Sequence, residues 1–158
     1  ALDNVALSIQ AHSGHSFKFW KCASTDATLT SPAQKILDQV GLGDRARSLA
    51  GNLAHGQQRQ LEIAMALATG PKMLLLDEPT AGMGTEESEN MRQFLSKLKG
   101  EYSMLLIEHD MDTVFSLADR VTVLVYGRAI ATGTPEEIRN NAEVRAAYLG
   151  EDEVAGSA

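Results

Sequence analysis

Two adjacent carboxylates, Asp77 and Glu78, follow the apolar run Met73-Leu74-Leu75-Leu76 and stand directly before Pro79. Four apolar residues in a row predict a strand buried on both faces, and Pro79 cannot continue the ladder, so the chain must turn there. The C-terminal mouth of a strand in an open α/β sheet is where ligands sit. One carboxylate at such a mouth can hold a hard cation such as Mg²⁺, directly or through water, and its neighbour can orient or deprotonate an attacking water. A second apolar run, Met104 to Ile107, ends in Glu108-His109-Asp110, which sets an imidazole at another strand end. Upstream, Leu53-Ala54-His55-Gly56-Gln57 opens a helix, and the unsatisfied N-H groups of a helix N-terminus favour an anion such as a terminal phosphate. Each feature alone has a plain alternative: a solvated acidic turn, a loop histidine, an ordinary helix start.

The elements that must position these groups follow from periodicity and punctuation. Leu2, Val5, Ala6 and Ile9 predict a short amphipathic helix over Leu2 to Gln10. Ala11 to Thr30 is irregular and carries Phe17, Phe19 and Trp20, a connection or a patch meant for another surface. Ser31-Pro32 predicts a helix start, with Ile36, Leu37 and Val40 as one face and Gly41 as the stop. A longer helix is expected from about Gly56 to Ala68, with Leu61, Ala64, Met65, Leu67 and Ala68 apolar. After the acidic strand, Thr85 is expected to cap a helix burying Met91, Phe94, Leu95 and Leu98. Then come the strand Met104 to Ile107, a helix carrying Met111, Val114, Phe115 and Leu117, and a third strand, Val121 to Val125. A hairpin turn at Gly127-Arg128 leads into Ala129 to Thr132, and two short helices follow, about Pro135 to Asn140 and Ala142 to Leu149. Strand, helix, strand, helix, strand is the order of a parallel sheet with right-handed crossovers.

With 158 residues, 44% of them hydrophobic, the chain can build a real core. A net charge of −7 argues against a general nucleic-acid-binding face, though not against a nucleotide held by local N-H groups and one or two cations. The single Cys22 excludes an internal disulfide framework and a cysteine zinc cluster and fits a reducing compartment. His12 and His15 are three apart, but no third ligand stands near them, so ordinary loop histidines are the expectation. No stretch approaches the 18 or so apolar residues of a membrane span, so any membrane role is expected through a partner.

In their order and spacing, these motifs closely resemble the ATP-binding subunit of ABC transporters. Leu53-Ala54-His55-Gly56-Gln57 resembles the family's signature peptide, Met73 to Glu78 its Walker B strand, Ala81-Gly82-Met83-Gly84 its D-loop, and His109 its switch histidine. The resemblance implies that Asp77 organises Mg²⁺, that Glu78 is the general base for the water attacking the γ-phosphate of ATP, and that His109 bridges phosphate, water and carboxylate. It implies that Leu53, Ala54, His55, Gly56 and Gln57 act on the nucleotide of a partner subunit in a head-to-tail homodimer or heterodimer. The D-loop would cross between the two subunits. The fold implied is α/β and P-loop NTPase-like: residues 1–70 as part of the helical signature subdomain, 71–150 as the C-terminal part of a RecA-like core, and 151–158 as a flexible tail. Gln57 to Ala64, Ile107 to Met111, Gly127 to Ile138 and Val144 to Gly150 look like the subgroup that energises branched-chain amino acid uptake. Permease subunits, and indirectly a solute-binding protein, would then be partners, with the subunit peripheral on the cytoplasmic face of the membrane and no nucleic acid involved.

Within these residues there is no Gly-x-x-x-x-Gly-Lys-Ser/Thr loop to cradle the β- and γ-phosphates, and Gly14-His15-Ser16-Phe17-Lys18 does not fit it. The resemblance is therefore to the C-terminal portion of such a subunit. Part of the sheet is expected to expose apolar faces, and the 158 residues are expected to be inactive alone. Ala54 stands where serine is usual, His55 replaces a glycine and offers a ring donor, and Gly84 replaces an acid. The alternative is a truncated, non-catalytic interaction module docking on a membrane protein or a homologous ATPase. A chromosome-maintenance head is weaker still, since Leu2 to Asn52 shows no heptad coil.

Overall fold

The computed structural model describes residues 1–12 and 26–148, which divide into a first unit, Ala1–Leu105, and a second from Leu106 onward. The first unit opens with α1 (Leu2–His12), which buries Val5 and Ala6 and packs on α2 (Ala27–Gln39). The start of α2 differs from expectation. Asp26, not Ser31, is the N-cap, its Oδ1 accepting from the Thr28 N-H at 3.0 Å, and Pro32 lies inside the helix. A proline inside a helix removes a backbone bond, but burial of Leu29, Ala33 and Leu37 along one face, at about 1.5–3 kcal/mol for a large apolar side chain, offsets it. Val40 closes the helix as C-cap, and two short 3-10 turns, Gly43–Arg45 and Ala50–Asn52, lead to α3 (His55–Leu67). This helix buries Leu61, Ile63, Ala64 and Leu67, while Met65 and Ala68 are half-buried. Ile63 joins the core because α3 touches α1, α2 and α4 (Thr85–Lys99), a broader arc than a single stripe.

Between α3 and α4 runs β1 (Met73–Asp77), which pairs with β2 (Ser103–Ile107) in a two-stranded sheet. Neither strand is buried on both faces. Leu74 is 3% exposed but Leu75 is 71% exposed, and in β2 the side chains of Leu105 and Ile107 also face outward. The strand period of two sends alternate residues to opposite faces, and here only one face of β1 is covered. The expected uncovered apolar surface is thus present. Gly84, not Thr85, is the N-cap of α4; Thr85 is its first helical residue, and no side chain caps that end. The buried set Met91, Phe94, Leu95 and Leu98 is as predicted, and Glu86 and Glu87 near the start with Lys97 and Lys99 near the end suit the helix dipole.

The second unit contains α5 (Met111–Leu117), β3 (Val121–Val125), β4 (Arg128–Gly133), α6 (Pro135–Arg139) and α7 (Ala142–Tyr148). β3 is not a third strand of the β1-β2 sheet. It pairs antiparallel with β4 in a separate hairpin, from Val125 opposite Arg128 to Val121 opposite Gly133, with a register shift between Val123 and Leu124. The two-residue loop Tyr126-Gly127 has φ of 48° and 74°, the doubly left-handed turn whose twist matches paired antiparallel strands, so β3 is captured by its sequence neighbour. Val121, Val123, Ile138 and Val144 form the core, flanked by Met111, Val114, Phe115, Ala118, Ile130 and Ala131. The Arg139 guanidinium lies 4.6 Å from the Phe115 ring centroid.

Candidate functional site

The site in the first unit is built around the N-terminus of α3. Leu53 is buried and anchors the peptide, while Ala54 is an extended N-cap with φ −61° and ψ 157° and no side-chain cap bond. The first-turn glutamines hold the backbone instead: Gln57 Oε1 accepts from the Ala54 N-H at 3.2 Å, and Gln58 Nε2 donates to the Leu53 carbonyl at 3.0 Å. By position, the N-H groups of His55, Gly56 and Gln57 are the ones that lack a partner within the helix. Gly82 lies beside this peptide at φ 73°, where a Cβ would sit 3.7 Å from His55 Cε1. A Cβ on Gly56 would lie 3.8 Å from atoms of Glu87 in the first turn of α4. The Ala81-Gly82-Met83-Gly84 turn and the Leu53-to-Gln57 peptide are therefore neighbours.

The acid pair stands at the end of β1 with both side chains exposed. Glu78 adopts φ 44°, a left-handed conformation that costs a non-glycine residue. Its carbonyl accepts from the Ala81 N-H at 3.1 Å, the Thr80 carbonyl accepts from the Met83 N-H at 3.3 Å, and buried Pro79 and Thr80 seat the turn. Arg59 of α3 reaches across: Nη2 donates to the carbonyls of Asp77 at 3.1 Å and Glu78 at 3.4 Å, while Nη1 meets Glu62 Oε2 at 2.8 Å. In sequence, Arg59 is only one of several polar residues crowding the start of the helix, and nothing there separates it from a solvated arginine.

His109 belongs to the second unit. It is exposed, and its N-H donates to Glu108 Oε2 at 3.2 Å. The following residue, Asp110, caps α5: Oδ1 accepts from the Asp112 N-H at 3.2 Å and Oδ2 from the hydroxyl of fully buried Thr113 at 2.5 Å. The structure thus gathers Leu53 to Gln57, Asp77, Glu78 and Ala81 to Gly84 in one unit and sets His109 at a capped helix start in the other.

Among the described residues no three His, Cys, Asp or Glu side chains cluster as a metal cage. A small hard cation that keeps its waters needs only one or two carboxylates, and exposed Asp77 at a strand mouth suits it. His12 ends α1, and His15, Phe17, Phe19, Trp20 and Cys22 lie outside the described residues. No helix among the described residues is long and apolar enough to cross a membrane.

A strand delivering two acids beside a helix N-terminus, in alternating helices and strands, is the arrangement of an α/β P-loop NTPase-like fragment. A solved nucleotide-free ATP-binding cassette from an ABC transporter superposes on 95% of this chain and 62% of its own, with TM-score 0.76 and 31% identity. A family model described as ABC transporter matches residues 3–81, half of the chain, and one described as branched-chain amino acid ATP-binding cassette transporter matches residues 130–154. The chain belongs to the ABC transporter ATP-binding family. It is 47% identical over 117 residues to the high-affinity branched-chain amino acid transport ATP-binding protein BraF of Pseudomonas aeruginosa, covering 73% of this chain and 46% of BraF. The corresponding LivG protein of Salmonella typhimurium is 46% identical over the same length and coverage. The chain spans about half the length of the curated relatives it matches.

Proposed function

We propose that this chain is part of an ATP-binding and ATP-hydrolysing subunit that energises transmembrane transport, with branched-chain amino acid import as the transport step. The observation that carries the reading is the exposed Asp77-Glu78 pair, fixed at the end of β1 by the same helix that presents the Leu53-to-Gln57 peptide. The match of residues 130–154 and the names of BraF and LivG support the choice of solute class.

In this reading residues 1–70 form part of the helical signature subdomain and 71–150 the C-terminal part of a RecA-like core, while the tail expected over 151–158 lies outside the described residues. Asp77 would hold Mg²⁺, whose chemistry when bound is to draw charge from the phosphate oxygens. Glu78 takes a proton from water as the water oxygen bonds to the γ-phosphorus and the bond to the β,γ-bridging oxygen breaks, leaving ADP and phosphate. His109 orients the γ-phosphate and the water. Leu53, Ala54, His55, Gly56 and Gln57 turn their helix N-terminus towards the ATP of a second ATPase subunit paired head to tail, and Ala81 to Gly84 cross between the two. Permease subunits complete the assembly on the cytoplasmic face of the membrane, and a solute-binding protein delivers the cargo to them. The phosphate-binding loop is not among these 158 residues, so turnover belongs to a whole subunit rather than to them alone.

The test of the metal role is Asp77→Asn in the whole subunit. Losing the carboxylate that holds the metal, directly or through water, should cost about 10–100-fold in metal affinity. The Mg²⁺ concentration for half-maximal hydrolysis should rise by that factor. An unchanged Mg²⁺ dependence would remove Asp77 from the site.

A further inference from the structure

We infer that Arg59 is the positioning residue of the hydrolytic site: its guanidinium holds the Asp77-Glu78 backbone, and with it the left-handed Glu78, in the geometry from which the carboxylate works. The inference rests on the role proposed for Glu78. Arg59 uses both ends of its planar fork. Nη1 is tied to Glu62 Oε2 at 2.8 Å one turn along α3, and Nη2 reaches the carbonyls of Asp77 and Glu78 at 3.1 and 3.4 Å. Two consecutive carbonyls converge on one nitrogen only if the peptide between them is turned, and Glu78 at φ 44° supplies that turn. The Glu78 carbonyl is also the acceptor for Ala81 N-H, so the orientation Arg59 sets passes into the Ala81-to-Gly84 turn. A left-handed glutamate persists only where its surroundings over-determine it, and a cationic donor aimed at both flanking carbonyls provides that constraint. Lysine cannot reproduce it, because a point charge on a flexible stem has no second arm with which to be anchored by Glu62 while donating to the strand end. Arg59 stands one turn inside the helix whose first residues form the Leu53-to-Gln57 peptide. The residue thus ties the acids of a subunit's own site to the peptide acting on its partner's nucleotide.

The experiment is steady-state ATP hydrolysis by the whole subunit carrying Arg59→Ala or Arg59→Lys, with amide hydrogen exchange on the same proteins. Arg59→Ala should lower kcat by roughly tenfold to a hundredfold, the cost of a small misplacement of a reacting group, with KM for ATP within about threefold. Added guanidinium at millimolar concentration should restore part of the loss. Exchange at the Ala81 amide should rise while that of buried Leu95 stays unchanged. Arg59→Lys, which retains the charge, should show the same pattern in weaker form, and it serves as the deciding variant if Arg59→Ala does not fold. Unchanged kcat and Ala81 exchange in Arg59→Lys and Arg59→Ala would overturn the inference. So would exchange rising equally across α3 and α4, which marks a merely structural arginine. If hydrolysis proves insensitive to Glu78→Gln, the catalytic reading fails by itself, whereas the Ala81 exchange still judges whether Arg59 holds the turn.

Discussion

Glu78 carries two demands at once, a carboxylate presented to solvent and a backbone at φ 44°, and such a conformation costs a non-glycine residue about 1–3 kcal/mol. That cost is met by the Arg59 fork and by the Ala81 N-H bond to the Glu78 carbonyl. Ala54 is the complementary case, a helix start with one half of a capping box: Gln57 already accepts from its N-H, but the residue has no oxygen to answer the Gln57 N-H. Ala54→Ser should complete the box and stabilise the first unit by about 1 kcal/mol. Thermal unfolding is expected to shift upward by a few degrees, and an unchanged or lower midpoint would show that this N-terminus is already satisfied. At this scale the sequence discloses which residue types stand where, since Asp77-Glu78, His109 and the Leu53-to-Gln57 peptide are read directly from order and spacing. It does not disclose Arg59, because a long polar side chain on a helix carries no mark of what it reaches 18 residues away.

Among the elements, helices with a strong apolar stripe are legible and their ends are less so. The buried face of α4 follows from spacing alone, yet its cap is Gly84, because an extended backbone can precede a helix without any side-chain bond. α2 begins at Asp26, a better-placed capper than Ser31, and packing carries Pro32 along. β3 misleads for a different reason: an apolar run marks a strand but not which strand it pairs with. The left-handed pair Tyr126-Gly127 decides that locally. Tyr126 is fully exposed and makes this turn at an aromatic residue, where asparagine fits the conformation better. Tyr126→Asn should therefore raise the unfolding midpoint of the second unit, and a lowered midpoint would contradict the strain assigned to Tyr126. At α6, Thr134 and Glu137 exchange hydrogen bonds, and the backbone N-H of Thr134 beside the Glu137 carboxylate, then its hydroxyl, hold that group below its usual 4.5. A carboxyl lowered in the folded state adds stability that is complete above its unfolded value and is lost as pH falls through its folded value. Melting measured from pH 6 to pH 3 should thus fall more steeply below about 4.5 for the native chain than for Glu137→Gln, which retains an acceptor but does not titrate. Parallel curves would show that the box adds no linkage.

At the scale of the whole molecule, the chain is two units, each with its own buried residues, in a length about half that of its curated relatives. The apolar side of β1, Met73 and Leu75, stands uncovered, as the absence of a phosphate-loop motif from these residues led one to expect. The family is legible in the order of four short motifs, because phosphate chemistry demands those residue types at those places. The arrangement of the sheets was less so, because pairing depends on surroundings a strand's own residues do not state. Whether Glu78 is the base of an ATP-hydrolysing site is decided by ATP turnover and ATP-driven pairing in the whole subunit carrying Glu78→Gln. The amide has nearly the shape of the acid but cannot accept the proton, so turnover should fall by about 10²–10⁴-fold while pairing with ATP persists. Near-normal hydrolysis by that variant would rule out Glu78 as the base.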